Sequence, residues 1–163
     1  MNVFVLSENP QECAKLHCDK HVVKMIVESA QLLSTAHHVL GSGTNEMYRP
    51  AYRNHPCAKW VRESKQNYEY LYNLFIALID EWHFRYHSND GKVHACERLV
   101  KLLKIAPRNI ENSVLTPHPL CMPDQYKESD PVKSYHNYYR EEKSRFAKWT
   151  KRSVPMWMKK EQA

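Results

Sequence analysis

The sequence predicts an all-α protein, a compact single-domain helical fold spanning residues 1–163. Three observations support this prediction. The chain has only 3 glycines in 163 residues, too few for the many turns of an all-β fold. Two helix starts carry a cap residue followed by proline, and apolar residues recur at helical spacing through much of the chain. The length also suits one domain.

The first part of the chain is predicted to be an extended arm followed by a long helical region. Residues 3–6 are apolar and are expected to form a short strand or an extended N-terminal arm. Asn9 and Pro10 mark a helix start, because asparagine caps a helix and proline suits its first position. This helical region is expected to end at Gly41, with a break near Cys18.

The middle of the chain is predicted to hold a loop and two further helices. Residues 42–55 are polar and are expected to form a loop. Pro56 opens a second helical region, and Ser64 is expected to cap a new helix within it. The string of residues 88–91, Ser-Asn-Asp-Gly, predicts a turn.

The last part of the chain is predicted to be less regular. A third helix is expected from Val93 to Ile105. Residues 106–129 contain four prolines and are expected to be an irregular segment. The last helix is predicted from Val132 to Lys148, after the cap-and-proline pair at Asp130.

The composition favours a cytoplasmic protein that has no membrane partner. No apolar run approaches the roughly 18–20 residues of a membrane span, and the apolar run at residues 3–6 is too short for a signal peptide. The five cysteines are odd in number and form no C-x-x-C pair, which favours reduced thiols over a disulfide framework. A monomer is expected, and no cofactor is predicted.

The positive charge is concentrated at the C-terminal end. The chain carries a net charge of +6, and residues 133–163 contain nine basic and three acidic residues, which account for all of it. A basic segment with interleaved aromatic rings is typical of a surface that binds nucleic acid. The alternative is a solvated basic helix whose rings pack on the body. The predicted DNA contacts in this segment are Tyr138, Tyr139, Arg140, Lys148, Trp149, Lys151, Arg152 and Trp157.

A polar stripe is predicted along one face of the first helix, beside its apolar stripe. A carboxylate held near amines and imidazoles can position a proton or stabilise a developing cation. The alternative is an ordinary surface ion pair between Lys24 and Glu28. The stripe consists of His17, His21, Lys24, Glu28 and Gln31.

Metal binding is a further alternative for the histidines of this chain. His17 and His21 are four residues apart, and His83 and His87 repeat that spacing. Imidazoles at this spacing can share a zinc ion, but no known metal motif accompanies them. No metal ligand is therefore predicted.

The loop-to-helix junction at residues 52–56, Tyr-Arg-Asn-His-Pro, is the most distinctive local string. It places Arg53, Asn54 and His55 directly before a helix. The N-terminus of a helix can bind phosphate through free N–H groups and the helix dipole. The alternative is that Asn54 caps the helix and His55 packs locally.

These residues resemble the pyrimidine-dimer DNA glycosylase family, which includes phage endonuclease V. Small members of that family share the string at residues 52–56 and a first-helix glutamate, here Glu28, that stands just before a small apolar run leading to a glycine loop. The resemblance spans most of the chain, and it extends to small phage proteins that carry the string at residues 17–25. The other shared features are Tyr70-Leu71, Glu81, Arg85-Tyr86 and the closing basic, proline and tryptophan segment at residues 151–157.

The resemblance implies a helical DNA N-glycosylase that excises a damaged or modified base from duplex DNA, with or without AP-lyase activity. In that family the N-terminal α-amine attacks the sugar and a first-helix glutamate assists, which implies Met1 and Glu28 here. Arg53 and His55 would grip phosphate or the opened base pair. Arg85 would do likewise or would pair with Glu81.

One position departs from the family. Its lyase members expose a small second residue after removal of methionine, whereas residue 2 here is the bulkier Asn2. The nucleophile is therefore left open between the Met1 amine, Lys20 or Lys24, and a water molecule activated by Glu28. Two other functions are open as well, a non-catalytic nucleic-acid-binding phage protein with the same fold and a metal-dependent nucleic-acid enzyme.

Overall fold

The computed structural model describes residues 2–160, and in that part of the chain it contains helices and no strand. The predicted all-α fold is therefore confirmed. None of the helices in the described part is both long and apolar enough to cross a membrane. The α-helices of residues 2–160 are Pro10–Leu16 (α1), Asp19–Val39 (α2), Pro56–Glu63 (α3), Lys65–Tyr86 (α4), Val100–Leu103 (α5) and Pro131–Tyr138 (α6).

The first helical region consists of two helices, because the chain turns between α1 and α2. Asn9 caps α1 as predicted, and its side chain accepts a hydrogen bond from the Glu12 N–H at 2.9 Å. His17 and Cys18 both have extended backbone, with ψ angles of 134° and 160°. Extended residues cannot continue a helix. The break predicted near Cys18 is confirmed.

The central helix of the fold is α4. Its start is the one predicted, since the Ser64 side chain accepts a hydrogen bond from the Asn67 N–H at 3.1 Å. It packs against α1, α2 and α3. Tyr68, Leu71 and Phe75 on its inner faces have no exposed surface. Burial of such large side chains is the main favourable contribution to folding, so the other helices are arranged around α4.

The chain after α4 is less helical than the sequence predicts. The turn at residues 88–91 is confirmed, but a 3-10 helix over Ala95–Leu99 precedes the short α5 in place of one continuous helix. His94 starts this 3-10 helix. The Nδ1 of its ring accepts a hydrogen bond from the Cys96 N–H. The backbone N–H of His94 donates to the Glu97 carboxylate. This pair of local bonds favours the tighter turn.

The last helix ends earlier than predicted. Asp130 caps α6 as expected, since its side chain accepts the Val132 N–H at 2.9 Å. After α6 the chain forms one π-helical turn over Tyr139–Lys143 and then leaves the helix, whereas a helix to Lys148 was predicted. The Tyr139 side chain is completely buried at this turn. Tertiary packing thus overrides local helix preference here.

A buried ion-pair network centred on Arg85 joins α4 to the junction of α1 and α2. The Arg85 side chain has no exposed surface. Its guanidinium donates to the Glu81 carboxylate at 2.8 Å and to the Asp19 carboxylate at 3.0 Å. It also donates to the backbone carbonyls of Lys15 and His17 at 3.0 and 2.8 Å. The guanidinium therefore holds two helix ends against α4.

The C-terminal segment closes onto the same network. Arg152 donates to both carboxylate oxygens of Glu81. Thr150 donates to the Asp19 carboxylate from its hydroxyl at 2.6 Å and from its N–H at 2.9 Å. The Trp149 indole N–H donates to the last carbonyl of α1 at 2.9 Å. Residues 149–152 are therefore part of the folded body.

Two buried histidines predict that the protein loses stability in mild acid. Burial lowers the pKa of His17 to about 4 and that of His21 to about 3, because a charged imidazole is disfavoured inside the protein. The same side chains titrate near 6.5 in an unfolded chain. Below that pH the unfolded chain takes up protons that the folded chain does not, so the stability present above about pH 6.5 is lost as the pH falls towards about 4.

We expect the loss to be on the order of 1.4 kcal/mol per pH unit for each histidine within this range. Urea unfolding at about pH 7, 6 and 5 measures it, and His21→Phe should reduce the slope. An unfolding free energy that stays constant from pH 7 to 5 would contradict the prediction.

Candidate active site

Glu28 on α2 is a shielded carboxylate at the edge of the core. Its side chain is 17% exposed, and its Oε1 lies 4.0 Å from the Nζ of Lys24, which is 59% exposed. The ion pair predicted from the spacing is therefore present, with the carboxylate as its shielded member. A charge removed from bulk water interacts more strongly with a nearby opposite charge. This carboxylate can therefore stabilise a cation that forms beside it.

The polar stripe is divided by the break between α1 and α2. His17 ends α1 with a buried ring whose Nδ1 lies 2.7 Å from the Cys13 carbonyl. His21 on α2 is 4% exposed, stacks on Phe4 at 4.4 Å and places Nδ1 2.6 Å from the Tyr139 hydroxyl. The His21 ring therefore belongs to the aromatic core, and a catalytic role for His21 stays a prediction. The regular spacing of these residues in the sequence gave no sign that they lie on two helices.

The histidine pairs considered as metal ligands have other partners. His83 Nε2 lies 3.2 Å from the Glu97 carboxylate, and His87 Nδ1 lies 2.6 Å from the Asp90 carboxylate. The pair on α1 and α2 has the partners given above. Within residues 2–160, neither pair belongs to a group of three side chains placed to hold an ion.

The loop before α3 is fixed to α2 and presents polar side chains to solvent. The Ala51 N–H donates to the Thr35 hydroxyl of α2 at 3.1 Å. Tyr52 follows with a positive φ of 49°, a left-handed conformation that non-glycine residues seldom adopt. Arg53 and Asn54 are exposed. A cation and an amide are thus displayed on a backbone held at a defined position.

A second arginine lies beside Arg53. The Arg62 guanidinium donates to the Arg53 carbonyl at 2.7 Å. Burial lowers the pKa of Arg62, and the positive charge of Arg53 lowers it further. The charge of Arg53 therefore acts on Arg62, and an anion bound near both would relieve this repulsion. The pair is therefore suited to bind a phosphate.

His55, rather than Asn54, caps α3. Its Nδ1 accepts the Cys57 N–H at 3.1 Å, so that N–H is not available to a phosphate. Burial lowers the pKa of the half-buried His55 ring, whereas the negative charge of Glu28 acts in the opposite direction. The carboxylate of α2 and the imidazole at the start of α3 therefore share one electrostatic environment.

Asn2 is fixed at the start of α3, where no local sequence signal places it. Its amide nitrogen donates to the Cys121 carbonyl at 3.0 Å, and its Oδ1 lies 3.0 Å from the Tyr135 hydroxyl. The Cys57 thiol points at the same Oδ1 from 3.6 Å. Residue 2 therefore lies next to the junction that carries His55. Met1, a predicted nucleophile, lies outside the described residues.

Arg85 does not face solvent. It pairs with Glu81, the second of the two roles expected for it, and its side chain is fully buried. A phosphate could reach it only if the network described above were taken apart. In this structure Arg85 joins helices to one another, and a DNA contact by Arg85 stays a prediction.

Several residues of the basic C-terminal segment are packed into the protein. Tyr139 is completely buried and Trp149 is 8% exposed, so neither ring offers a face for stacking on a base in this structure, and a DNA contact by either residue stays a prediction. Arg152 is held by Glu81, and the Lys151 ammonium donates to a carbonyl of α4 at 2.9 Å. The alternative, in which the aromatic rings pack on the body, describes these positions.

Other residues of the segment remain accessible. Lys148 is exposed, and Tyr138, Arg140 and Trp157 are half-buried. The Trp157 ring stacks on His136 at 4.0 Å, and the Arg140 guanidinium donates to the Trp157 carbonyl at 3.1 Å. Both border a groove of about 620 Å³. A DNA contact by these four residues stays a prediction.

The comparison with known families agrees with this arrangement. The family described as pyrimidine dimer DNA glycosylase matches residues 1–93, the part that carries Glu28 and the loop before α3. Because the match covers more than half of the 163 residues, the chain belongs to the pyrimidine dimer DNA glycosylase family. Membership supports a glycosylase type of function with DNA as substrate. No curated protein and no solved structure gives a significant match.

Proposed function

We propose that the protein is a DNA N-glycosylase that excises a damaged or modified base from duplex DNA. The observation that carries this proposal is the position of Glu28. It lies within the family match, it is shielded from solvent, and its charge acts on His55 across the start of α3. Cleavage of an N-glycosidic bond develops positive charge on the sugar, and a fixed carboxylate stabilises such charge.

The role proposed for Glu28 depends on where charge and protons go when the N-glycosidic bond breaks. The base leaves with the bonding pair and takes up a proton, and C1′ and O4′ share the positive charge. If an amine attacks C1′, a new C–N bond forms and the nitrogen gives up a proton. The C1′–O4′ bond then breaks, O4′ takes up a proton and the sugar ring opens to a protonated imine. If water attacks, Glu28 accepts the proton that the water loses.

Between these routes, the fixed position of Asn2 favours the α-amine. Asn2 is hydrogen-bonded to Cys121 and lies against Cys57, which places residue 2 beside the start of α3. An α-amine titrates near 8, about two pKa units below a lysine, and is more often neutral at pH 7. The Lys24 side chain, by contrast, is directed into solvent.

The exposed loop before α3 supplies the proposed grip on DNA. Arg53 and Arg62 would each contact a phosphate of the DNA backbone, and the Tyr52 ring, 72% exposed, would stack on a base. Extruding a base costs a few kcal/mol, which such contacts can offset. Because the loop is fixed to α2, phosphate binding would set the position of Glu28 relative to the sugar.

We expect Glu28→Gln to lower the rate of base excision at least about a hundredfold while duplex binding is retained. Glutamine keeps the size of the side chain but lacks the charge and the proton acceptor. Single-turnover excision from duplexes that carry a panel of lesions and modified bases measures the rate, and titration of the same duplexes measures binding.

The matched control is Glu12→Gln on the exposed side of α1, which should keep full activity. Full activity of a folded Glu28→Gln variant would contradict the catalytic role of Glu28. Binding by the natural chain without excision of any base would identify a non-catalytic DNA-binding protein.

Borohydride should trap a covalent adduct between the N-terminal residue and DNA, because it reduces an imine to a stable amine. Mass spectrometry of the digested adduct locates the attachment. Additional residues before Met1 should abolish trapping and leave duplex binding intact, whereas Lys24→Ala should leave trapping unchanged. Excision without any adduct would instead assign the water route, with Glu28 as the base.

Arg53→Ala and Arg62→Ala should each weaken duplex binding to a similar extent for every sequence, because phosphate contacts carry no base information. Each loss of a phosphate contact should reduce the slope of log K against log salt by about 0.9. Binding titrations at several salt concentrations measure this slope. The control Arg108→Ala, an exposed arginine after α5, should leave it unchanged, and an unchanged slope in Arg53→Ala would contradict the proposed grip.

A further inference from the structure

Three side chains from distant parts of the chain converge beside the N-terminal arm. One ligand atom each from His55, Cys57 and Cys121 lies within 4.8 Å of the other two. The two sulfurs are 3.7 Å apart. In the described part of the chain this is the one such group. We propose that these three side chains bind a transition-metal ion, with Zn²⁺ as the ion that fits best.

The distance between the sulfurs supports a shared ion. Two Zn–S bonds of about 2.3 Å at a tetrahedral angle place their sulfurs about 3.8 Å apart. A disulfide would require about 2.05 Å. The observed 3.7 Å between Cys57 and Cys121 is therefore close to the edge of a zinc–thiolate tetrahedron, and both cysteines are free.

The donor atoms select the kind of ion. Thiolate sulfur and imidazole nitrogen are the ligands that zinc prefers, whereas Mg²⁺ and Ca²⁺ require oxygen. Three protein ligands leave a fourth position for water or for another donor of the chain. Asn2 Oδ1, 3.6 Å from the Cys57 sulfur, borders that position.

The surrounding bonds fix the cysteines and leave the histidine as the part that must adjust. The Cys121 carbonyl accepts from the Asn2 amide at 3.0 Å, and the Cys121 N–H donates to the Tyr135 hydroxyl at 3.3 Å. Such bonds orient ligands around a metal. His55 Nδ1 now accepts the Cys57 N–H, so the ring must give up this cap bond or turn in order to offer a nitrogen to the ion.

A metal ion can reach these three side chains from solvent. Cys57 has no exposed surface, but His55 and Cys121 are half-buried and form the outer side of the group. A bound ion would link the start of α3 to the irregular segment that carries Cys121. It would thereby hold the neighbourhood of Asn2 against the helix that carries His55. This role goes beyond the proposed excision of a base.

The test uses the full chain, purified with a phosphine reductant and without chelators. We expect elemental analysis to find one zinc per chain. After zinc has been removed, titration with Co²⁺ should saturate at one equivalent and produce the thiolate charge-transfer band and the visible bands of a tetrahedral site. The metal should also protect Cys121, the half-buried thiol of the group, from alkylation, as located by mass spectrometry.

Variants assign the ligands. Cys121→Ser and His55→Ala should each lose or strongly weaken the cobalt bands and the rise in Tm that Zn²⁺ gives the natural chain. Cys96→Ser is the matched control, since Cys96 is also a buried free thiol, and it should keep both. If a variant fails to fold, Co²⁺ titration and alkylation of the natural chain still show whether the site binds a metal ion.

Three results would overturn the proposal. The first is Co²⁺ binding that does not saturate or that lacks a thiolate band. The second is equal alkylation of the half-buried Cys121 with and without metal. The third is a Cys57–Cys121 disulfide in the purified chain that persists with no metal bound. None of these depends on base excision, so the metal site and the glycosylase activity can fail separately.

Discussion

The burial of the Arg85 guanidinium is the constraint on which the rest of the structure depends. A charged group without solvent is very unfavourable unless carboxylates and carbonyls surround it. Its partners Glu81 and Asp19 come from α4 and from the start of α2, so neither helix can move away without leaving a charge unpaired. Removing one partner of such a network typically costs about 3–5 kcal/mol. Arg152 and Thr150 bind the same two carboxylates, which brings the C-terminal segment under the same constraint.

This constraint helps to hold the candidate active site in place through contacts near the two ends of α2. The network fixes the start of α2, and the Thr35 hydroxyl near its other end holds the loop before α3. Glu28 lies between these two anchors. The carboxylate and the exposed Arg53 are therefore positioned by one rigid helix, which is the arrangement that a site acting on a defined point of a DNA duplex requires.

The C-terminal segment shows where reasoning from composition fails. Its charge and its rings are real, but Arg152 neutralises a buried carboxylate, and Tyr139 and Trp149 fill the core. A list of residue types does not tell which side of a chain faces the protein. The accessible cations instead include Arg53 and Arg62, whose proximity depends on how the loop before α3 folds back on that helix.

The sequence by itself determined the features that depend on local hydrogen bonds. The helix starts at Asn9 and Ser64 could be predicted, because a cap bond joins residues three positions apart. Glu28 and the string at residues 52–56 were also found, through a family resemblance that the match confirms. Only the tertiary structure decided what lies beside them. Cys57 and Cys121 are 64 residues apart, and their sulfurs meet because long-range packing brings the irregular segment onto the start of α3.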